Sequence, residues 1–378
     1  MKIVQLRTKV LLTKARWRSC FAIPAALIML FNPPSLYAGA VTGPRYAIEE
    51  YGRLDDFGTT AVVRRINSFK EIAGGFKRGS DLRKISKAFV LKESGFEDLP
   101  GDAGTDFSTS YGLNDKGEAV GALNTNTSMR PFRAARGSSF RILPLLSGDS
   151  GGIAYSINEN GEAVGYSSGT TGVRPVWWAV NGSVNELQGL AGNSNYALDL
   201  NDSDDIVGVS GEALKKAVLW PDKGAAVSLG TLPGFIGSEA VSINNQNEIV
   251  GFATGTNADP NLSRAVLWKP LMQSIQDLGT LPGGSASRAR DINDRGEVVG
   301  TSTSSQGDRA FIWTAAEGML DLNTLFVLPG VVVTDAVGIN KTGDIVVIGH
   351  MQETAPTDGH DHGDHERPRQ IFVLTRMQ

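Results

Sequence analysis

"INDRGEVVG", Ile292 to Gly300, decides how this chain is read, because the same phrase returns along its length. "LNDKGEAVG" begins at Leu113, "INENGEAVG" at Ile157, "LNDSDDIVG" at Leu200 and "INNQNEIVG" at Ile243. Two worn copies flank these five, "INSFKEIAG" from Ile66 and "INKTGDIVV" from Ile339. The asparagines stand at 67, 114, 158, 201, 244, 293 and 340, so the steps are 47, 44, 43, 43, 49 and 47 residues. A period of that length matches one four-stranded propeller blade.

Each copy resolves into four short strands. In the sixth, "RARDIN" alternates and ends at a turn, and "EVVGTST" leaves the turn. "RAFIW" follows a loop and "MLDLNTL" closes the unit. The fourth residue of Asn-x-x-Gly should need a positive φ, which glycine adopts freely and Asp or Asn tolerates best. Gly117, Gly161, Asp204, Asn247, Gly296 and Gly343 fit, and Lys70 of the first copy breaks the rule. The second strand carries adjacent apolar residues, such as Val298 and Val299, and so reads as covered on both faces. Trp177, Trp178, Trp220, Trp268 and Trp313 all fall in the third strand. An aromatic stripe at so regular a position reads as core between blades rather than as a sugar platform.

The last copy ends at "RQIFVLTRMQ" without a fourth strand, and "YAIEEYGRLDDFG" near the N-terminus supplies a spare one. An open stack would leave both edges unpaired and prone to aggregate. The expected fold is therefore an all-β, seven-bladed β-propeller whose N-terminal strand completes the last blade; a β-solenoid is the alternative. The third strands "RAF" and "KAF", the fourth strands of the "DLGTLPGG" kind and the repeated turn resemble the extracellular repeats called the HAF family. That resemblance covers residues 45–378, with Arg or Lys where the family name implies His. It implies a secreted or cell-surface bacterial protein with propeller-like repeats, and it brings no catalytic residues.

Residues 1–40 read as a secretory signal peptide: six Lys and Arg without an acid, the apolar run "CFAIPAALIMLF", and small residues at Ala38 and Ala40. Twelve apolar residues are too few to span a bilayer, which needs about 20. Residues 41–378 are then one seven-repeat domain, secreted or periplasmic, with no membrane span after cleavage. Cleavage would remove Cys20, the single cysteine, together with six of the 36 basic residues and none of the 40 acids. The net charge would fall from −4 to −10 (30 basic residues against 40 acids), which argues against sequence-independent nucleic-acid binding.

"SGDSGG", Ser147 to Gly152, has the wording around the nucleophile of chymotrypsin-like proteases. Leu146, however, stands 11 residues before Ile157, as Leu232 does before Ile243 and Leu281 before Ile292. "LSGD" therefore occupies the slot of "LPGF" and "LPGG", the turn into the next blade. A serine triad also needs an imidazole base, and all four histidines lie at 350 or beyond. Ser150 reads as part of a linker.

The seventh repeat carries "GHMQETAPTDGHDHGDHERPR", with His350, His360, His362 and His365 among Asp358, Asp361, Asp364 and Glu366. Imidazoles and carboxylates at this spacing (His350, His360, His362, His365, Asp361 and Asp364) are candidate ligands for Zn²⁺, Ni²⁺ or Cu²⁺. The bland reading is a solvated acidic loop. The first repeat carries a basic insertion with Lys77, Arg78, Arg83, Lys84 and Lys87, next to the seventh repeat in a closed ring. Each second strand opens with an acid (Glu71, Glu118, Glu162, Asp205, Glu248, Glu297, Asp344). Each third strand opens with a base (Lys87, Arg130, Arg174, Lys216, Arg264, Arg309, Arg369). Sevenfold recurrence suits structure better than catalysis, which needs carboxylates in differing environments. The sequence thus points to an exported, non-enzymatic binding module for a glycan or protein partner. The alternatives are a propeller enzyme acting on an extracellular polysaccharide, as lyase or hydrolase, and a metal-binding protein.

Overall fold

Residues 45–53, 62–77, 86–93, 95–99, 107–125, 128–190, 192–352 and 369–377 are described by a computed structural model. Residues 1–40, expected to be a signal peptide, and residues 78–85 of the basic insertion lie outside them, as do His360, His362, His365, Asp361 and Asp364. Among the described residues no helix is long and apolar enough to cross a membrane.

The Asn-x-x-Gly turn forms by the mechanism its residues dictate. The Asn244 side-chain oxygen accepts the backbone N–H groups of Gln246 at 3.0 Å and Glu248 at 2.8 Å. The fourth residue has positive φ throughout: 74° at Gly117, 87° at Gly161, 70° at Asp204, 59° at Asn247, 70° at Gly296 and 86° at Gly343. Lys70, the exception in the sequence, takes the same conformation at 59°. An L-residue without a helpful side chain loses about 1–2 kcal/mol there, and Lys70 offsets part of it by donating to Thr375 Oγ1 at 2.7 Å. Lys70→Asn should therefore raise stability by about 0.5 kcal/mol after losing that bond. A lower urea midpoint for the variant would show that the Thr375 bond outweighs the strain.

Each turn joins the first two strands of an antiparallel blade. Blade 1 holds β2 (Val62–Ile66), β3 (Ile72–Lys77), β4 (Ser86–Lys92) and β5 (Gly95–Asp98). Blade 2 holds β6 (Phe107–Leu113), β7 (Ala119–Thr125), β8 (Ser128–Ala134) and β9 (Arg141–Ile142). β10 (Asp149–Ile157) to β13 (Val184–Glu186) form blade 3, and β14 (Asn195–Leu200) to β17 (Val227–Ser228) form blade 4. Blade 5 runs from β18 (Gly237–Ile243) to β21 (Ser274–Asp277), and blade 6 from β22 (Ser287–Ile292) to β25 (Gly318–Asp321). β26 (Val331–Ile339), β27 (Ile345–Met351) and β28 (Arg369–Arg376) are completed by β1 (Tyr46–Arg53), giving the order β1-β28-β27-β26. The fourth strand of blade 7 is thus the first of the described strands, as the sequence requires. The ring of seven blades excludes the solenoid.

The core lies between blades. Val298 packs with Trp313, Phe311 and the blade 5 residues Val250 and Leu267, while its neighbour Val299 packs with Val333, Ile345 and Phe372 of blade 7. Adjacent apolar residues on a second strand therefore serve two different clusters, and Ile249 and Val250 divide in the same way. Trp178, Trp220 and Trp268 are buried, which places the tryptophan stripe in this core. Trp177 is the exception, half-buried with the Lys223 ammonium 4.4 Å above its ring.

The glycine that ends the repeated phrase has its own reason. A Cβ on Gly251 would sit 2.0 Å from the Glu239 carbonyl oxygen, and one on Gly300 would sit 2.1 Å from that of Arg288. The inner strand approaches this closely because it carries a bulge, seen as a register shift between Ala240 and Ser242 and between Ala289 and Asp291. A bulge puts two residues opposite one and breaks strict alternation. Two consecutive side chains of the inner strand consequently face the axis of the ring.

Candidate functional site

The bulge residues of the seven inner strands build the central channel. Arg65 reaches from blade 1 across the axis to blades 4 and 6, with Nη2 2.7 Å from Asp199 Oδ2 and Nη1 2.6 Å from Asp291 Oδ1. Ser156 donates to Asp199 at 2.6 Å, and the Ser242 hydroxyl lies within hydrogen-bond distance of both acids, 2.9 Å from Asp199 and 2.7 Å from Asp291, with one proton to share between them. The backbone N–H groups of Ile243 and Ile339 complete the carboxylates at 3.1 and 3.0 Å. Burial alone would lower the Arg65 pKa, but the two carboxylates more than offset it and raise it. Burial raises the Asp291 carboxyl above its ordinary value against the opposing pull of Arg65. This network divides the channel, since Arg65 lines the cavities on both sides of it.

The cavity on the side of the Asn turns holds about 390 Å³. Its walls repeat. Each asparagine amide donates to the backbone carbonyl of the next asparagine, from Asn67 to Asn114 and so around to Asn340, which donates back to Asn67. These seven bonds span 3.0–3.2 Å and close a complete circle. A second, open arc runs beside it. Ser68 N–H donates to Asp115, Asp115 to Glu159, Glu159 to Asp202, Asp202 to Asn245 and Asn245 to Asp294. Lys341 donates to Asp115, whose carboxyl is raised by burial but lowered overall by Lys341 and Ser68. These side chains are already engaged in holding blades together.

The opposite mouth, about 520 Å³, varies around the ring. The first bulge positions there are Arg64, Tyr111, Tyr155, Leu198, Val241, Arg290 and Val337, all of which line it. Glu239, Arg288, Asp335 and Arg369 add charge around them. Arg64 keeps contact with solvent in the mouth, yet the surrounding protein lowers its pKa, and Arg290 lowers it further. Its guanidinium carbon lies 5.7 Å from the Tyr111 ring centre. Arg290 Nε is buried without a hydrogen bond, 3.6 Å from Asp335 Oδ1. Arg288 lies over Phe252 at 4.7 Å, a distance at which cation and ring attract.

Residues singled out by sequence are distributed as follows. Ser150 is exposed on β10 just beyond the turn from blade 2, where the linker reading puts it. Neighbouring Asp149 accepts from Ser167 at 2.6 Å and pairs with Arg174 at 2.9 Å. The acids opening the second strands tie blades together: Glu71 pairs with Arg136, Glu162 with Lys223, and Glu297 with Arg376. The bases opening the third strands pair elsewhere, Arg174 with Glu186 and Arg264 with Asp277. His350 stands on β27 opposite Arg369, at the root of the segment that carries the other three histidines. Among the described residues no group of three or more His, Cys, Asp or Glu is arranged to hold a metal ion.

No family model and no curated protein matches this chain. Solved structures do. A streptogramin B lyase superposes with a TM-score of 0.52 at 12% identity, covering 88% of this chain and 98% of its own. Virginiamycin B lyase from Staphylococcus aureus gives 0.52 at 11% identity, covering 88% and 100%. The β-propeller domain of the Trilobed protease from Pyrococcus furiosus gives 0.50 at 11%, covering 84% and 93%. That domain is described as having an open velcro topology, whereas here β1 closes the last blade. At these identities the likeness establishes the propeller fold and carries no activity with it.

Proposed function

We propose that the protein is an exported, non-enzymatic propeller that binds a glycan or protein partner in the mouth opposite the Asn turns. The observation that carries this reading is the contrast between the two ends of one channel. On the turn side every blade offers the same asparagine, its amide engaged with the next blade; at the mouth the corresponding position varies among Arg, Tyr, Leu and Val. Specific recognition needs convergent, non-equivalent groups in a concave site, and the mouth has them. Its two carboxylates each face a base, Glu239 with Lys215 at 3.7 Å and Asp335 with Arg290 at 3.6 Å. Neither is poised as a free general base, which favours binding over lyase or hydrolase chemistry. Export rests on the leader-like residues 1–40 and on the resemblance to HAF repeats.

Val241 lines the mouth at the first bulge position of blade 5. Val241→Trp should fill part of the cavity and leave the inter-blade core untouched. Screening immobilised glycans and peptides, we expect wild-type protein to retain at least one ligand that the Val241→Trp variant, melting at the same temperature, binds at least about 10-fold less tightly. A ligand held equally by both proteins would move the site away from the mouth.

A further inference from the structure

We propose that the ligand of this mouth is a uronate-containing polysaccharide, a sugar chain bearing carboxylates; the inference rests on the binding reading above. Charge is the first observation. Arg64, Arg288, Arg290 and Arg369 line the cavity against two carboxylates, Glu239 and Asp335, so it is positive in a chain whose net charge is −4. Arg64 is the member that lacks a counterion. It is exposed in the mouth and, among the described residues, makes no ion pair or hydrogen bond. Arg290 Nε, by contrast, is buried without a hydrogen-bond acceptor. A buried donor is normally satisfied, and a carboxylate between these two guanidinium groups would give Arg290 Nε an acceptor and Arg64 a partner, in the fork geometry that arginine favours.

Aromatic rings are the second, independent observation. Tyr111, Tyr155, Tyr166 and Tyr196 form a continuous row from blade 2 to blade 4, with successive ring centres 5.5, 5.8 and 5.4 Å apart. All four are only half-buried. The row has a cation at each end, Arg64 beside Tyr111 and Lys215 at 5.9 Å from the Tyr196 centre. Burial raises the pKa of Tyr111, Tyr155 and Tyr166, so their hydroxyls stay protonated donors at neutral pH. A ring with an apolar face and a polar tip suits a pyranose, which offers C–H faces and hydroxyl edges. An inorganic anion would use only the arginines. A linear sugar polyanion uses the arginines, the row and the cations at both of its ends. Tyr111 and Tyr155 line the mouth, and the row continues beyond its lining through Tyr166 to Tyr196 of blade 4.

The test is calorimetric titration with trimers of galacturonate and of mannuronate, with the methyl ester of each, and with hexaglutamate. At least one uronate trimer should bind, and esterification should weaken it at least about 10-fold. Arg64→Met should weaken the trimer about 10- to 100-fold while melting close to wild type, because Arg64 makes no ion pair or hydrogen bond among the described residues and a methionine can still cover the Tyr111 ring. Tyr155→Ala should weaken the trimer and leave hexaglutamate unaffected. Equal affinity for acid and ester would overturn the anionic class and leave the binding reading standing. Hexaglutamate binding as tightly as the trimers, indifferent to Tyr155→Ala, would reassign the site to an acidic peptide. If no trimer binds but the wider screen finds a ligand displaced by Val241→Trp, the uronate proposal alone fails. If that screen finds none, the binding reading fails with it.

Discussion

Arg65→Met should destabilise the folded protein by about 3–5 kcal/mol at pH 7, and by clearly less at pH 5. The methionine fills similar space, so the effect is electrostatic. Arg65 is the cation that bridges Asp199 and Asp291, whose side chains are 4% and 3% exposed. Without it two buried carboxylates share the axis, held only by Ser156, Ser242 and backbone N–H groups. Burial already holds Asp291 above its ordinary value with Arg65 present, and removing the cation raises it further. The sign follows from linkage. A carboxyl whose folded pKa lies above its unfolded one makes the native state bind more protons than the unfolded state. Stability then falls as pH rises through the folded pKa, and returns as pH drops toward the unfolded value. Urea melts of both proteins at pH 7 and pH 5 should show the gap narrowing at the lower pH. A gap of constant size would mean that the lost guanidinium matters for packing rather than for the carboxylates. Adding Asp199→Asn and Asp291→Asn to Arg65→Met should recover much of the loss, since a buried ionic triad can be replaced by neutral groups at little net cost.

How much of this was legible differs between the rim and the axis. The turns were legible because Asn, Gly, Asp and Asn247 have few other reasons to recur at one spacing, and the backbone angles at all six expected positions agree. The tryptophan stripe was legible for the same reason: Trp178, Trp220 and Trp268 occupy one column of the repeat and one environment. The asparagine circle was half legible. The sequence assigns those residues to turns, but their amides also stitch each blade to the next, a contact that a local turn motif does not encode. Arg65, Asp199 and Asp291 escaped notice because they share a column with Gly112, Ser156, Ser242 and Gly338, where no two neighbours look alike. Strict alternation would also turn them away from the residue before. The signal that could have found them is the glycine closing each repeated phrase, since a glycine inside a strand marks a bulge or a close backbone approach. Tyr111 and Tyr155 share the bulge column, while Tyr166 and Tyr196 come from others, so the row is a product of the fold and leaves no periodic trace in the chain.

Deleting Arg45–Arg53 should lower the melting temperature by an amount on the order of 10 °C and make the protein aggregate near its midpoint. β1 pairs with β28 from Tyr46 opposite Arg376 to Arg53 opposite Gln370. It buries Tyr46 and partly buries Ile48 against the cluster shared by blades 6 and 7. Each such side chain contributes about 1.5–3 kcal/mol. The strand also clamps two blades, because the N–H groups of Arg45 and Tyr46 donate to the Leu325 carbonyl, and Arg45 pairs with Glu317 at 2.7 Å. Removing it does more than subtract these contacts. β28 becomes an edge, and its unpaired backbone is a template for another chain. Light scattering during the melt should therefore rise for the deletion and not for the intact protein. A synthetic peptide of residues 45–53 added in trans should suppress that rise, because it restores the missing pairing. A deletion variant that melts like the intact protein without scattering would mean that blade 7 is held by its neighbours and that closure by the terminal strand is dispensable. Rescue by the peptide would show the opposite, that the ring is held shut by a strand drawn from the far end of the chain.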